Sequence, residues 1–137
     1  MRFMIIVKAS EESEAGIMPT EEQLAEMAAY HEELSRAGVL VDGAGLHPSS
    51  KGWRVVYSGT ERNVVDGPFS ETKELIAGYT LIEVESREAA RRWADRFPAP
   101  SPGGGGAIEV RQLFALEDFE QGPAIERFRH LEMPAQG

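Results

Sequence analysis

Phe3-Met4-Ile5-Ile6-Val7-Lys8 is the stretch on which the fold turns. It is short, continuously apolar and rich in β-formers, the pattern of a central strand buried on both faces. Successive side chains of a strand point to opposite faces. Phe3, Ile5 and Val7 therefore share one face, and Met4 and Ile6 the other. Two later apolar runs repeat this alternation. Ile82 with Val84, and Ile108 with Val110, continue the oily face, while Tyr79, Leu81, Glu83, Glu109, Arg111 and Leu113 fall on a mixed one.

Working outward, residues 10–19 read as an acidic, polar connection. Thr20 then opens a helix with Gln23 three residues on, a capping box that satisfies two otherwise unpaired N–H groups. Leu24, Met27, Ala28, His31 and Leu34 fall on one face of that helix, and Gly38 is placed to end it. Residues 39–46 read as a second strand interrupted by Gly43 and Gly45. Residues 53–58 alternate, and a turn at Gly59-Thr60-Glu61 sends them back through residues 63–66 as a hairpin. Residues 78–84 form the next strand. Ser86 caps a second helix, with Ala89, Ala90, Trp93, Ala94 and Phe97 facing inward and Pro98 ending it. The Pro- and Gly-rich residues 98–106 read as a loop without a fixed shape, and residues 108–114 as the last strand.

Without the hairpin this order is β-α-β-β-α-β, the split βαβ pattern of ferredoxin-like α+β folds, with both helices on one face of an antiparallel sheet. That leaves the mixed face bare, and a second copy packed sheet to sheet would bury it, so a homodimer is expected. One domain spanning residues 1–119 is expected, followed by a tail over 120–137. The tail keeps an apolar rhythm in Phe119, Ile125, Phe128 and Leu131, and it reads either as a short docking helix or as a frayed end.

Composition narrows the partners. The 137 residues carry 42% apolar side chains, ordinary for one globular domain. With 23 acids against 14 Lys and Arg, a net charge of −9 disfavours nucleic acid and anionic membranes as partners. The absence of cysteine removes disulfides, thiolate nucleophiles and Cys-based metal sites. No apolar run approaches the roughly 20 residues of a membrane span, and the first residues do not form a signal sequence. A soluble cytoplasmic protein is expected.

The stretch Val65-Asp66-Gly67-Pro68-Phe69-Ser70-Glu71-Thr72-Lys73-Glu74 sets a turn directly before a group of acids and a lysine. Gly67 is read as the position free to take a positive φ, and Pro68 as fixing its own near about −65°. Gly45-Leu46-His47-Pro48-Ser49-Ser50, the Asp66-Gly67-Pro68-Phe69 run, Ile76-Ala77-Gly78-Tyr79 and Ile108-Glu109-Val110-Arg111 follow in this order. Together they resemble the DGPF-domain proteins of the YCII-related superfamily over about residues 1–119. The resemblance implies a ferredoxin-like subunit and a dimeric α+β barrel, but no reaction. Some members are similar to genes beside extracytoplasmic-function sigma factors, which implies a regulatory setting. The YCII branch carries a proposed His–Asp pair. Aligned on Gly38, Met27 and Phe97 stand at those two positions, so the pair does not carry over. His31 with Asp66 would be a new site rather than an inherited one.

Each candidate has two readings. His31 is a half-buried core histidine or a catalytic base. His47, at a strand exit, shapes its turn or performs chemistry there. Asp66 is a general base, or its carboxylate accepts turn N–H groups. Glu71 and Lys73 form a solvated charged turn or a ligand clamp. Glu83, Glu109 and Arg111 pair with one another across the mixed face, or Arg111 holds a ligand anion beside Tyr79. No histidine spacing suits a metal, and Gly103 to Gly106 lacks the Gly-Lys-Ser/Thr ending of a phosphate loop. The preferred expectation is a homodimer binding a small organic molecule in a cleft bordered by the Asp66 loop. As an enzyme it would run acid–base chemistry without a cofactor, using His47 or His31 with Asp66 and Arg111. The rival is a non-catalytic module acting through protein contacts, beside a sigma factor.

Overall fold

A computed structural model describes residues 1–131. Its centre is a four-stranded antiparallel sheet ordered β2-β5-β1-β6, built from β1 (Arg2–Lys8), β2 (Leu40–Gly45), β5 (Ile76–Glu83) and β6 (Ile108–Gln112). Strands β3 (Trp53–Ser58) and β4 (Glu61–Asp66) stand apart as a two-stranded arm. Pairing fixes the faces as the alternation predicts. Phe3 lies opposite Ile82 and Gln112, and Ile5 opposite Thr80 and Val110. On the reverse face Met4 lies between Leu81 and Arg111, and Ile6 between Tyr79 and Glu109.

Helices α2 (Glu21–Arg36) and α3 (Arg87–Asp95) supply the core over the first face. It contains Phe3, Ile5, Tyr30, Leu34, Ile82, Val84, Ala89 and Ala90, with Val39, Leu40, Trp93, Phe97 and Ile108 packed around it. The Thr20–Gln23 capping box is present. At the other end Gly38 takes φ +74°, donating to Ser35 O, while the Val39 N–H reaches Leu34 O. That pair of bonds is the Schellman closure, in which a glycine in the left-handed region satisfies the last carbonyls.

The buried stripe of α2 is rotated from the expected one. Leu24 and Ala28 are exposed, and Tyr30 is buried in their place. Tyr30 meets Trp93 and Phe97 edge-on at 6.3 and 5.2 Å and donates its hydroxyl to Trp93 O at 2.7 Å. Aromatic packing between the two helices, with a satisfied polar tip, outweighs the smaller gain from Leu24 and Ala28.

Three other expectations are corrected. Residues 10–19 are not a plain connection: Ser10 caps a short helix α1 (Glu11–Glu14) through a reciprocal box with Ser13. The glycine-rich loop has a definite shape, closed by Ser101 N–H to Gly105 O at 3.0 Å. Strand β1 is central but only Phe3 and Ile5 are fully enclosed; Met4 and Ile6, on the face away from α2 and α3, are half-buried. Of the tail, residues 123–129 form α4 (Pro123–Arg129), with Ile125 buried, and residues 132–137 lie outside the described residues. Among the described residues no helix is long and apolar enough to cross a membrane.

Candidate functional site

The loop after β4 is held by residues remote in sequence. The Gly67 N–H donates to Gly52 O at 3.0 Å, and the Phe69 N–H to Ser49 Oγ at 3.0 Å. Ser49 in turn gives its N–H to Glu14 Oε2 at 3.0 Å and its hydroxyl to Glu14 Oε1. The Arg54 guanidinium lies 3.8 Å from the centre of the Phe69 ring, a favourable cation–π contact. The Gly67–Pro68 bond is cis.

Gly67 is required for a different reason from the one the turn chemistry suggests. Its φ is not in the left-handed region. A Cβ there would instead stand 1.8 Å from Ser49 O, so the glycine lets two backbone segments touch. Asp66 is exposed and, among the described residues, its carboxylate has no hydrogen-bond partner. The oxygen that organises this turn is Ser49 Oγ. Glu71 and Lys73 flank and enter a turn of 3-10 helix (Thr72–Glu74), exposed and with no ion pair among the described residues. His47 is exposed too.

His31 sits on the opposite side of the sheet from Arg111. Its Nδ1 lies 2.7 Å from Met27 O, and since a carbonyl only accepts, Nδ1 carries a proton. In the neutral ring Nε2 then accepts from the hydroxyl of buried Thr80 at 2.8 Å. Both nitrogens are engaged. The ring also lines a cleft of about 750 Å³ at the β2 edge, with Ser35, Leu40, Asp42, Gly43 and Glu83. Neither Asp66, His47 nor Arg111 reaches that cleft.

The face away from the helices brings together other candidates. Tyr79 donates to Asp42 Oδ2 at 3.2 Å, and that carboxylate, as hydrogen-bond acceptor and as charge, raises the phenol above its ordinary pKa. Asp42 Oδ1 also accepts the Gly43 N–H at 2.8 Å. Glu109 lies 3.3 Å from Arg111 on its own strand and 3.9 Å from Lys8 on β1, while Arg2 of β1 lies 3.7 Å from Glu83 of β5. Met4, Ile6 and Leu81 form the apolar middle of this face; Asp42, Ala44, Glu83, Glu109 and Arg111 at its margins are exposed. Asp42, Ser49 and Glu14 escaped the reading of single residues, though Ser49 lies inside one of the motifs that carried the family resemblance. Among the described residues no cluster of His, Asp and Glu is arranged to hold a metal ion.

Comparison with known proteins agrees at the level of family. An uncharacterised protein of Rhizobium meliloti (strain 1021) is 33% identical over 93 residues, 68% of this chain and 74% of that one. Among solved structures, the chain is similar to 5-chloro-2-hydroxyhydroquinone dehydrochlorinase from Burkholderia phenoliruptrix AC1100 in complex with 2,5-dihydroxybenzoquinone. That likeness has 18% identity and a TM-score of 0.47, and it covers 83% of this chain and 94% of the other. Residues 1–117 match the YCII-related domain, and the chain belongs to that family.

Proposed function

We propose that this chain is a DGPF-type member whose ferredoxin-like subunit pairs sheet to sheet as a dimeric α+β barrel, holding a small organic molecule between the sheets. The observation that supports it is the sheet face turned away from α2 and α3, half-buried and apolar in the middle and exposed and polar at both margins. Burying such a face against a second copy removes apolar surface from water without a new fold element. Tyr79 and Arg111 flank β1 on that face, opposite Ile6 and Met4, so two strand spacings and a two-residue offset put them roughly 12 Å apart. That span suits a ring or short chain bearing an acid at one end and a hydroxyl or carbonyl at the other. Arg111 would hold the anion and the Tyr79–Asp42 pair the polar end.

The function is one of binding rather than acid–base turnover. His31 lies behind the sheet with both nitrogens occupied, Asp66 ends the separate two-stranded arm with its side chain exposed, and exposed His47 lies beyond the end of β2. The rival, a regulatory module working through protein contacts, draws on the exposed residues 53–66. A thermal-shift panel of small organic acids and phenols, run with light scattering, separates the two. A dimer stabilised by a panel member, with the shift lost in Arg111→Leu, is expected; a ligand at 100 times its Kd adds about 2.7 kcal/mol. A chain that stays monomeric at every concentration, or a shift that survives both Arg111→Leu and Tyr79→Phe, would refute the site.

A further inference from the structure

Every residue of β3 and β4 is exposed, including six large apolar ones. An isolated two-stranded hairpin is marginal in water, and this one turns much of its apolar surface outward. Register separates its faces: Trp53, Val55 and Tyr57 lie opposite Asp66, Val64 and Arg62, while Arg54, Val56 and Ser58 lie opposite Val65, Asn63 and Glu61. On the second face Arg54 is turned to its own loop by Phe69. The first face has no such tie. Trp53, Tyr57 and Val64 are 66, 65 and 65% exposed, and Arg62 lies over the Tyr57 ring.

We propose that this first face is an exchanged clasp, docked on a second copy of the chain and continuous with the sheet-to-sheet contact. The inference rests on the dimer reading above and adds which residues reach across. Side chains of this size and exposure present on the order of 500 Å². A stable interface takes about 800 Å² per partner. The arm therefore supplies a large part of what a dimer needs, and the Met4-Ile6-Leu81 patch supplies more. Charge favours the same occupant. In a chain of net −9, residues 51–66 carry three cations (Lys51, Arg54, Arg62) against two acids (Glu61, Asp66), so a second copy of this acidic chain attracts the arm rather than repelling it.

The chain has two tryptophans and no cysteine, which gives clean reporters. In Trp93→Phe, Trp53 is the sole indole. The expected result is a dimer by light scattering whose Trp53 emission is blue-shifted and at least threefold shielded from iodide, both properties fading together on dilution. Should Trp93→Phe not fold, the thiol introduced by Val64→Cys in the natural background gives the same reading through its maleimide labelling rate. Val64→Glu should weaken dimerisation at least tenfold. A dimer in which Trp53 and position 64 are fully accessible overturns the clasp and leaves the sheet contact standing. A monomer with a wet Trp53 overturns both, and a monomer with a shielded Trp53 assigns the arm to its own chain and overturns the exchange.

Discussion

Strands β1 and β3 are built from similar residues and meet opposite fates. Phe3 and Ile5 in β1 are 3 and 0% exposed, whereas Val55 and Tyr57 in β3 are 39 and 65% exposed. Both segments extend because aromatic and β-branched side chains suit a pleated surface. Burial comes from what lies over them: α2 and α3 roof one face of β1, and nothing among the described residues roofs the arm. Propensity decides that a strand forms, and neighbours decide what it contributes to stability.

The largest test of this contrast is Leu34→Ala, which empties a fully enclosed site under α2. It should cost about 2–5 kcal/mol in urea denaturation; a cost near zero would mean that the core does not lie where the helices place it. Gly67→Val comes next, at the root of the arm. A Cβ 1.8 Å from Ser49 O forces the two segments apart, for about 1–3 kcal/mol. Equal behaviour of Gly67→Val and wild type would show that the close approach is absent.

A third test uses pH. Burial raises the Tyr30 phenol to about 12, partly opposed by the Arg96 charge. A group whose folded pKa lies above its unfolded value adds stability that is intact below the unfolded pKa and lost above it. Stability should therefore hold up to about pH 10 and fall by on the order of 2 kcal/mol as pH rises toward 12. Tyr30→Phe should flatten that alkaline limb, and an unchanged slope would place the phenol in water. The smallest effect belongs to the arm. Val56→Thr, on the face away from the proposed contact, should change stability by less than about 0.5 kcal/mol, and a core-sized loss there would erase the contrast.

Much of the sheet was legible because its signals are local. Alternation in residues 3–7 and 108–113 gave the faces, the Thr20–Gln23 spacing gave the start of α2, and Gly59 gave the hairpin turn, where it takes φ +60°. The stripe of α2 was harder, since the pattern holds two adjacent stripes and only the aromatic contacts from α3 choose between them. Around the candidate site the decisive partners are distant: Glu14 and Ser49 are 35 residues apart, Ser49 and Phe69 are 20. A glycine needed because a remote carbonyl passes close by looks, in sequence, the same as one needed for a positive φ. Tyr79 and Arg111 were read as sharing a face because parity is local, but the Asp42 carboxylate beside Tyr79 comes from the neighbouring strand.

The bond from Phe69 to Ser49 has a practical corollary. It pins the entry and exit of the excursion at one spot, beside Glu14, so the intervening stretch behaves as a removable cassette. Closing such a loop costs only slightly more as it lengthens. Evolution, or a protein engineer, can thus trim, extend or replace what lies between those two residues while the four-stranded scaffold keeps its shape.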